Sequence, residues 1–268
     1  MMIRWSANLT MLFKEEPFLQ RFEAAVRAGF DTVEFLWPGG VDLDGLVHAT
    51  AASGLAVVLF NVDAGDVLAG ERGFPNDPAQ KEWWRERTQT AFALADRLGT
   101  RLINVLAGNQ VVDRSRAEMI DCLCENLSWA LEQHPDVTLL LEPLNPLQNQ
   151  RYLLTSLAEV MQVIDRLNHP RVKLQFDLYH VQRTQGDLVE NLRRHLPHIA
   201  HIQAADSPGR NQPGTGEIHW PFVLSQLEGM GYGGHVGLEY NPLANTLGSL
   251  VWLPHEMRRQ CMAVELNL

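Results

Sequence analysis

Cysteine is scarce: Cys122, Cys124 and Cys261 are the three among 268 residues. The number is odd and the one close pair is a C-x-C, so neither a C-x-x-C zinc or redox motif nor a disulfide framework is present. Reduced thiols in helices of a cytoplasmic protein are expected instead. Long apolar runs are missing too. Stretches such as Leu55 to Phe60 fall far short of the roughly 20 residues that span a bilayer. Met1 to Thr10 lacks the basic start and apolar core of a secretory leader. A soluble protein with no membrane partner is expected. Positive charge is also in deficit, with 22 Lys+Arg against 32 Asp+Glu and a net charge of −10. That balance argues against nucleic acid as a partner, because neutralising phosphates takes a broad basic face. It leaves room for a metal-dependent enzyme acting on a small anion.

No Gly/Ser-rich linker or compositional break divides the chain, so residues 1–268 are expected to form one domain. With 46% apolar and 20% charged residues it is globular in composition. Short β-rich runs alternate with longer amphipathic stretches. The predicted strands are Ile3–Ala7, Thr32–Leu36, Ala56–Asn61, Leu102–Leu106, Val137–Leu141, Val172–Phe176, Ile199–Gln203 and His235–Glu239. Between them fall predicted helices at Pro17–Ala28, Leu43–Ser53, Gln80–Leu98, Arg114–Gln133, Leu157–Leu167, Leu188–His195 and Pro221–Met230, with a last one around Leu250–Val264. Runs such as Val57-Val58-Leu59-Phe60 are continuously apolar, as parallel strands covered on both faces require. Eight β–α alternations in this length predict an α/β fold of the closed (β/α)₈ TIM barrel type. A doubly wound open sheet is the alternative, weakened because no G-x-G-x-x-G follows the first strand. The loops Asp63–Pro78 and Asp206–Gly216 would then lie over the catalytic face.

The last four predicted strands end in Leu141-Glu142-Pro143, Phe176-Asp177-Leu178, Ile202-Gln203-Ala204 and Leu238-Glu239-Tyr240. Each sets an oxygen-bearing side chain after an apolar run, and in a barrel such ends converge on one mouth. Crowded carboxylates raise one another's pKa, and a divalent cation removes the conflict. Glu142, Asp177, Gln203 and Glu239 make an all-oxygen set that suits Mg²⁺ or Mn²⁺ better than zinc. The plainer reading is that each acid caps the next helix or pairs with a nearby arginine. His180, three residues after Asp177, can face the same cavity. Arg210, in the loop after Gln203, is a candidate to grip a carboxylate bidentately. His201 shares a strand face with Gln203 and can point inward below it.

Several segments together resemble a known family. They are Trp5-Ser6-Ala7-Asn8-Leu9-Thr10-Met11-Leu12-Phe13, Ala28-Gly29-Phe30-Asp31-Thr32-Val33-Glu34-Phe35, Leu59-Phe60-Asn61 and Ala69-Gly70-Glu71-Arg72-Gly73. Leu141-Glu142-Pro143-Leu144-Asn145, Gln175-Phe176-Asp177-Leu178-Tyr179-His180, His201-Ile202-Gln203, Gly216-Glu217-Ile218 and Gly237-Leu238-Glu239-Tyr240 complete the set. From about Arg4 to Pro242 the chain resembles the hydroxypyruvate isomerase family of xylose-isomerase-like barrels. The resemblance implies a metal on Glu142, Asp177, Gln203 and Glu239, with Glu142 and Glu239 as the acid/base pair. It adds Asn104 and Glu217 to His180 and Arg210 as substrate-binding residues. The substrate it implies is a small anionic 2-oxo acid or a sugar. Hydroxypyruvate would exchange with tartronate semialdehyde through an enediolate, and each catalytic carboxylate would need one oxygen free of metal.

One motif departs from the pattern. Family members commonly read His-Val-Met-Ala-Gly on the fourth strand, where this chain has Asn104-Val105-Leu106-Ala107-Gly108. Asn104 therefore leaves the exact substrate open, a 2-oxotetronate isomerase or a ketose 3-epimerase being the alternatives. An apurinic endonuclease of the same superfamily would need several more His ligands and a basic surface. A non-catalytic barrel is opposed by the intact ligand set. Assembly into a homo-oligomer is compatible with everything in the sequence.

Overall fold

The computed structural model describes residues 2–266 and 268. Strands β1 (Ile3–Asn8), β2 (Thr32–Phe35), β3 (Ala56–Asn61), β4 (Leu102–Asn104), β5 (Thr138–Leu141), β6 (Val172–Asp177), β7 (Ile199–Gln203) and β8 (His235–Leu238) lie in sequence order. Each pairs in parallel with its neighbours, and β1 pairs with both β2 and β8. The sheet therefore closes on itself, and the open-sheet alternative is excluded. Apolar continuity explains the strands: residues facing either the barrel axis or the helices are buried, as in β5, whose Leu139, Leu140 and Leu141 are at most 1% exposed.

Around the barrel run α1 (Arg21–Arg27), α2 (Leu43–Ser53), α3 (Lys81–Leu98), α4 (Arg116–Gln133), α5 (Leu157–Leu167), α6 (Leu178–Thr184), α7 (Leu188–His195) and α8 (Trp220–Gly229). Their ends follow local chemistry. Ser115 and Glu118 form a reciprocal capping box at the start of α4. Gly99 stops α3 in the left-handed conformation (φ 68°), where a side chain would be strained. Among the described residues no helix is long and apolar enough to cross a membrane.

The predicted last helix, Leu250–Val264, does not form. In its place stand the one-turn α9 (Thr246–Ser249), a 3₁₀ turn at His255–Met257 and a short β9 (Gln260–Cys261) antiparallel to β1. Pro254 lies inside the predicted span and cannot donate to a helix. The buried Arg258 guanidinium instead donates to the carbonyls of Leu253 and Ala28 at 2.9 and 2.8 Å. Cys261 is consequently on a strand, while Cys122 and Cys124 lie on α4; all three are buried, unbridged thiols. Helix α6 was not expected. It forms because Asp177, the last residue of β6, is also the N-cap of α6, leaving no loop between strand and helix.

Candidate active site

Glu142 and Glu239 directly follow β5 and β8, whereas Asp177 and Gln203 end β6 and β7. All four emerge at the carboxyl end of the barrel, none more than 7% exposed. Glu142, Asp177 and His180 bring one potential ligand atom each to within 4.8 Å of the others. Each carboxylate has one oxygen fixed by the frame. Asp177 Oδ1 accepts from the backbone N–H of Tyr179 and His180 at 2.7 and 3.4 Å. Glu142 Oε2 accepts from Asn104 Nδ2 at 3.1 Å and Gln175 Nε2 at 2.9 Å. The other oxygens, Asp177 Oδ2 and Glu142 Oε1, are buried with no hydrogen-bond partner. Orphaned buried carboxylate oxygens are costly, and a hard divalent cation is the partner that suits them.

Glu239 stands outside this tight group. Its Oε2 pairs with the Arg210 guanidinium, which also lies 3.7 Å from Asp177 Oδ2 and 5.4 Å over the Tyr179 ring. Arg210 is thus engaged by protein carboxylates and is not free to receive a carboxylate from a substrate, as the sequence alone suggested. The plainer sequence reading is also realised in part, since Asp177 does cap a helix and Glu239 does pair with an arginine.

The charges are strained against one another. Burial, then the charges of Glu239 and Asp177, push the Glu142 carboxyl well above the ordinary range. Burial raises Asp177 to about 7 although Arg210 pulls it down. Burial also outweighs Arg210 at Glu239, which is raised. His180 moves the opposite way: burial, then Arg210 and Arg72, hold it well below its usual value. Its Nδ1 accepts from the Asn145 backbone at 3.0 Å, so the neutral ring carries its proton on Nε2. That N–H faces Asp177 Oδ2 at 3.5 Å and Glu142 Oε1 at 3.9 Å.

Beneath the mouth lies a polar floor that sequence reasoning missed. Glu34 is fully buried, and its carboxylate accepts from Ser6, Asn8, His201 Nε2 and Gln203 Nε2 at 2.7, 3.1, 2.7 and 2.8 Å. Burial opposes ionisation of Glu34, but His201 and the hydrogen bonds from His201, Gln203 and Ser6 win and lower its pKa. Anchoring Nε2 of Gln203 turns its Oε1 the other way, where Gln175 Nε2 donates at 2.7 Å. Gln175 thereby links Gln203 to Glu142. The available signal was one acid between two apolar residues, Val33-Glu34-Phe35, in a strand whose last three residues are all buried.

Gly237 on β8 makes room for this floor: a Cβ there would stand 2.1 Å from Glu34 Oε2. Gly237→Ala is therefore expected to destabilise the fold by about 1–3 kcal/mol, in the range of overpacked cores. Thermal denaturation should show a drop of several degrees. An unchanged melting temperature would show that Glu34 can move aside.

A cavity of about 550 Å³ opens above the cluster. Glu142, Glu239, His180 and Arg210 line it, joined by Lys14 and Arg72 from the loops and by Arg21 from the start of α1. Asn104 is fully buried and reaches Glu142 rather than the cavity. Glu217 is exposed, accepts from Ser207 Oγ at 3.1 Å and Gln182 Nε2 at 3.3 Å, and is not among the lining residues. Its neighbours explain this: Gly216 and Ile218 give their N–H groups to the buried Asp206, which turns the intervening side chain outward. Asp206 also accepts from Gly214, Thr215 and the Trp220 indole. The Asp206–Gly216 loop is thus wound around one carboxylate, which fixes the backbone that carries Arg210.

A barrel with this ring of acids at its mouth defines a class. The model of the family described as xylose isomerase-like TIM barrel matches residues 22–255, and the chain belongs to that family and, within it, to the hydroxypyruvate isomerase family. It is 38% identical to the hydroxypyruvate isomerase of Escherichia coli over 94% of this chain and 98% of the relative. The 2-oxo-tetronate isomerase of Cupriavidus necator is 36% identical with the same coverage. Among solved structures, one from Brucella melitensis titled AP endonuclease, family 2 superposes with a TM-score of 0.89 at 36% identity, over 94% of this chain and 98% of that one. The chain is an enzyme of the isomerase class.

Proposed function

We propose that this enzyme interconverts a small 2-oxo acid and its 2-hydroxyaldehyde isomer, hydroxypyruvate and tartronate semialdehyde, with Glu142 and Glu239 exchanging the protons. One observation carries the reading: of the four strand-end residues, Glu142 and Glu239 line the cavity, while Asp177 and Gln203 do not. The two glutamates come from β5 and β8, with β6 and β7 between them, so they approach a bound ligand from different sides. The isomerisation removes a proton from one carbon and returns one to its neighbour, through a planar enediolate. A general base and a general acid held apart do this, each contributing about 10²–10⁴-fold. The environments divide the roles. Arg210 pulls against the burial that raises Glu239, which suits Glu239 to the base role, while burial and the charges of Glu239 and Asp177 push Glu142 up most, which suits it to the acid role. His180 presents Nε2–H to the oxygen on which negative charge grows.

We assign a divalent cation, Mg²⁺ or Mn²⁺, to Glu142, Asp177, Gln203 and Glu239. The fit rests on the two orphaned carboxylate oxygens and on the hard donors around them. When bound, such an ion supplies Lewis-acid stabilisation of negative charge on substrate oxygens. Similarity to 2-oxo-tetronate isomerases at 35–36% identity favours a four-carbon 2-oxotetronate as the second reading. Phosphodiester cleavage is opposed by the net charge of −10 and by the single imidazole in the acidic cluster. Incubation with Mg²⁺ and a panel of hydroxypyruvate, 2-oxotetronates and ketoses tests the assignment: isomer should form from an oxo acid. Conversion of ketoses alone would overturn it.

A further inference from the structure

Four cationic side chains reach the cavity: Lys14, Arg21, Arg72 and Arg210. Arg210 is engaged by Glu239 and Asp177. Arg21 donates Nε and Nη1 to the carbonyls of Glu16 and Leu9 at 2.9 and 2.8 Å, and Glu15 offsets its charge. Lys14 is exposed on a flexible stem.

Arg72 is placed differently. It is half-buried, and Nε donates to Asn149 Oδ1 at 2.8 Å. Nη1 donates to the carbonyls of Val67 and Glu71 at 3.0 and 2.7 Å. All three acceptors are uncharged, and among the described residues no carboxylate pairs with this guanidinium. Its own carbonyl accepts from Gly108 N at 3.0 Å, tying the residue to the loop after β4. Besides the main cavity, Arg72 lines an adjoining polar pocket of about 240 Å³ with Asn109, Gln148 and Arg151. A partly desolvated cation with no counter-charge is expensive in a structural role. Held rigidly with Nη2 outside these bonds, it is preorganised for an anion that arrives with the ligand.

We infer that Arg72 is the receptor for the substrate's carboxylate and sets the preference for 2-oxo acids over neutral ketoses. This identification of the substrate's anionic end rests on the isomerase reading above. Hydroxypyruvate and dihydroxyacetone differ only in a carboxylate against a hydroxymethyl group, so the ratio of their kcat/KM values isolates the contact. Arg72→Gln should lower that ratio about 30- to 100-fold, mainly through KM for hydroxypyruvate, the size expected for one charge-assisted pair. Arg72→Lys keeps the charge without the planar fork, holds the fold should the Gln variant lose it, and should fall in between. A ratio unchanged in both variants overturns the inference and leaves the proposed function standing. Binding without turnover separates the two claims. D-glycerate, but not glycerol, should raise the melting temperature of the wild type, and Arg72→Gln should abolish that shift. If the wild type converts no 2-oxo acid yet keeps this pattern, the isomerase assignment fails while the carboxylate receptor stands. If glycerate stabilises wild type and variant alike, the receptor fails.

Discussion

Glu142→Gln and Glu239→Gln should each lower kcat by about 10³- to 10⁴-fold, at the upper end of what one acid or base contributes, while the barrel stays folded. The amide keeps the shape and loses the proton chemistry. Stability should respond in opposite directions. Glu142 is buried among like charges that drive its pKa up, so an amide there relieves repulsion and should hold or raise the melting temperature without cation. Glu239 is the partner of Arg210, and its amide leaves that half-buried guanidinium with Asp177 alone, so the melting temperature should fall. Progress curves from proton NMR and thermal scans of both variants provide the check. Turnover like the wild type's in either variant removes that residue from the acid/base pair.

Chelation should be as severe. EDTA is expected to abolish activity and Mg²⁺ or Mn²⁺ to restore it; full activity in rigorously metal-free protein would contradict the cation assignment. The carboxylate pKa values add a test that does not depend on turnover. Asp177 sits at about 7 in the fold against 3.8 ordinarily. Between those values the folded state therefore holds a proton that the unfolded chain has released. With no cation bound, this group favours the fold most below about pH 4 and progressively less as the pH rises towards 7. A bound cation favours the ionised carboxylates and cancels the loss. The melting temperatures of Mg²⁺-treated and EDTA-treated protein should accordingly diverge from pH 5 to pH 8. A constant gap would place the cation elsewhere.

How far the sequence reveals this site depends on the range of the interactions. Strand ends are local: an apolar run that stops at Glu142, Asp177, Gln203 or Glu239 can be read directly, and barrel closure does the rest. The partners of those residues are remote in sequence. Glu34 meets His201 across 167 positions and Gln203 across 169, so neither pairing leaves a periodic trace. Arg210 could be placed near the acids, but not paired with Glu239, because that depends on a loop wound around Asp206. Glu217 matched a motif yet turns outward, since its neighbours' backbone N–H groups, not its own side chain, face the loop's centre. The C-terminal segment misled because amphipathic spacing persists through Pro254, where helical hydrogen bonding cannot.

Proton exchange at a carbon next to a carbonyl is read directly by solvent deuterium. Hydroxypyruvate incubated in D₂O with the enzyme and Mg²⁺ should gain deuterium at the hydroxymethyl carbon as tartronate semialdehyde appears, followed by proton NMR. Glu142→Gln and Glu239→Gln should slow that incorporation about 10³-fold or more. Isomer formation with no solvent deuterium in either compound would mean that the same hydrogen is carried from carbon to carbon, by a hydride shift or one shielded base, and would contradict proton exchange by two glutamates.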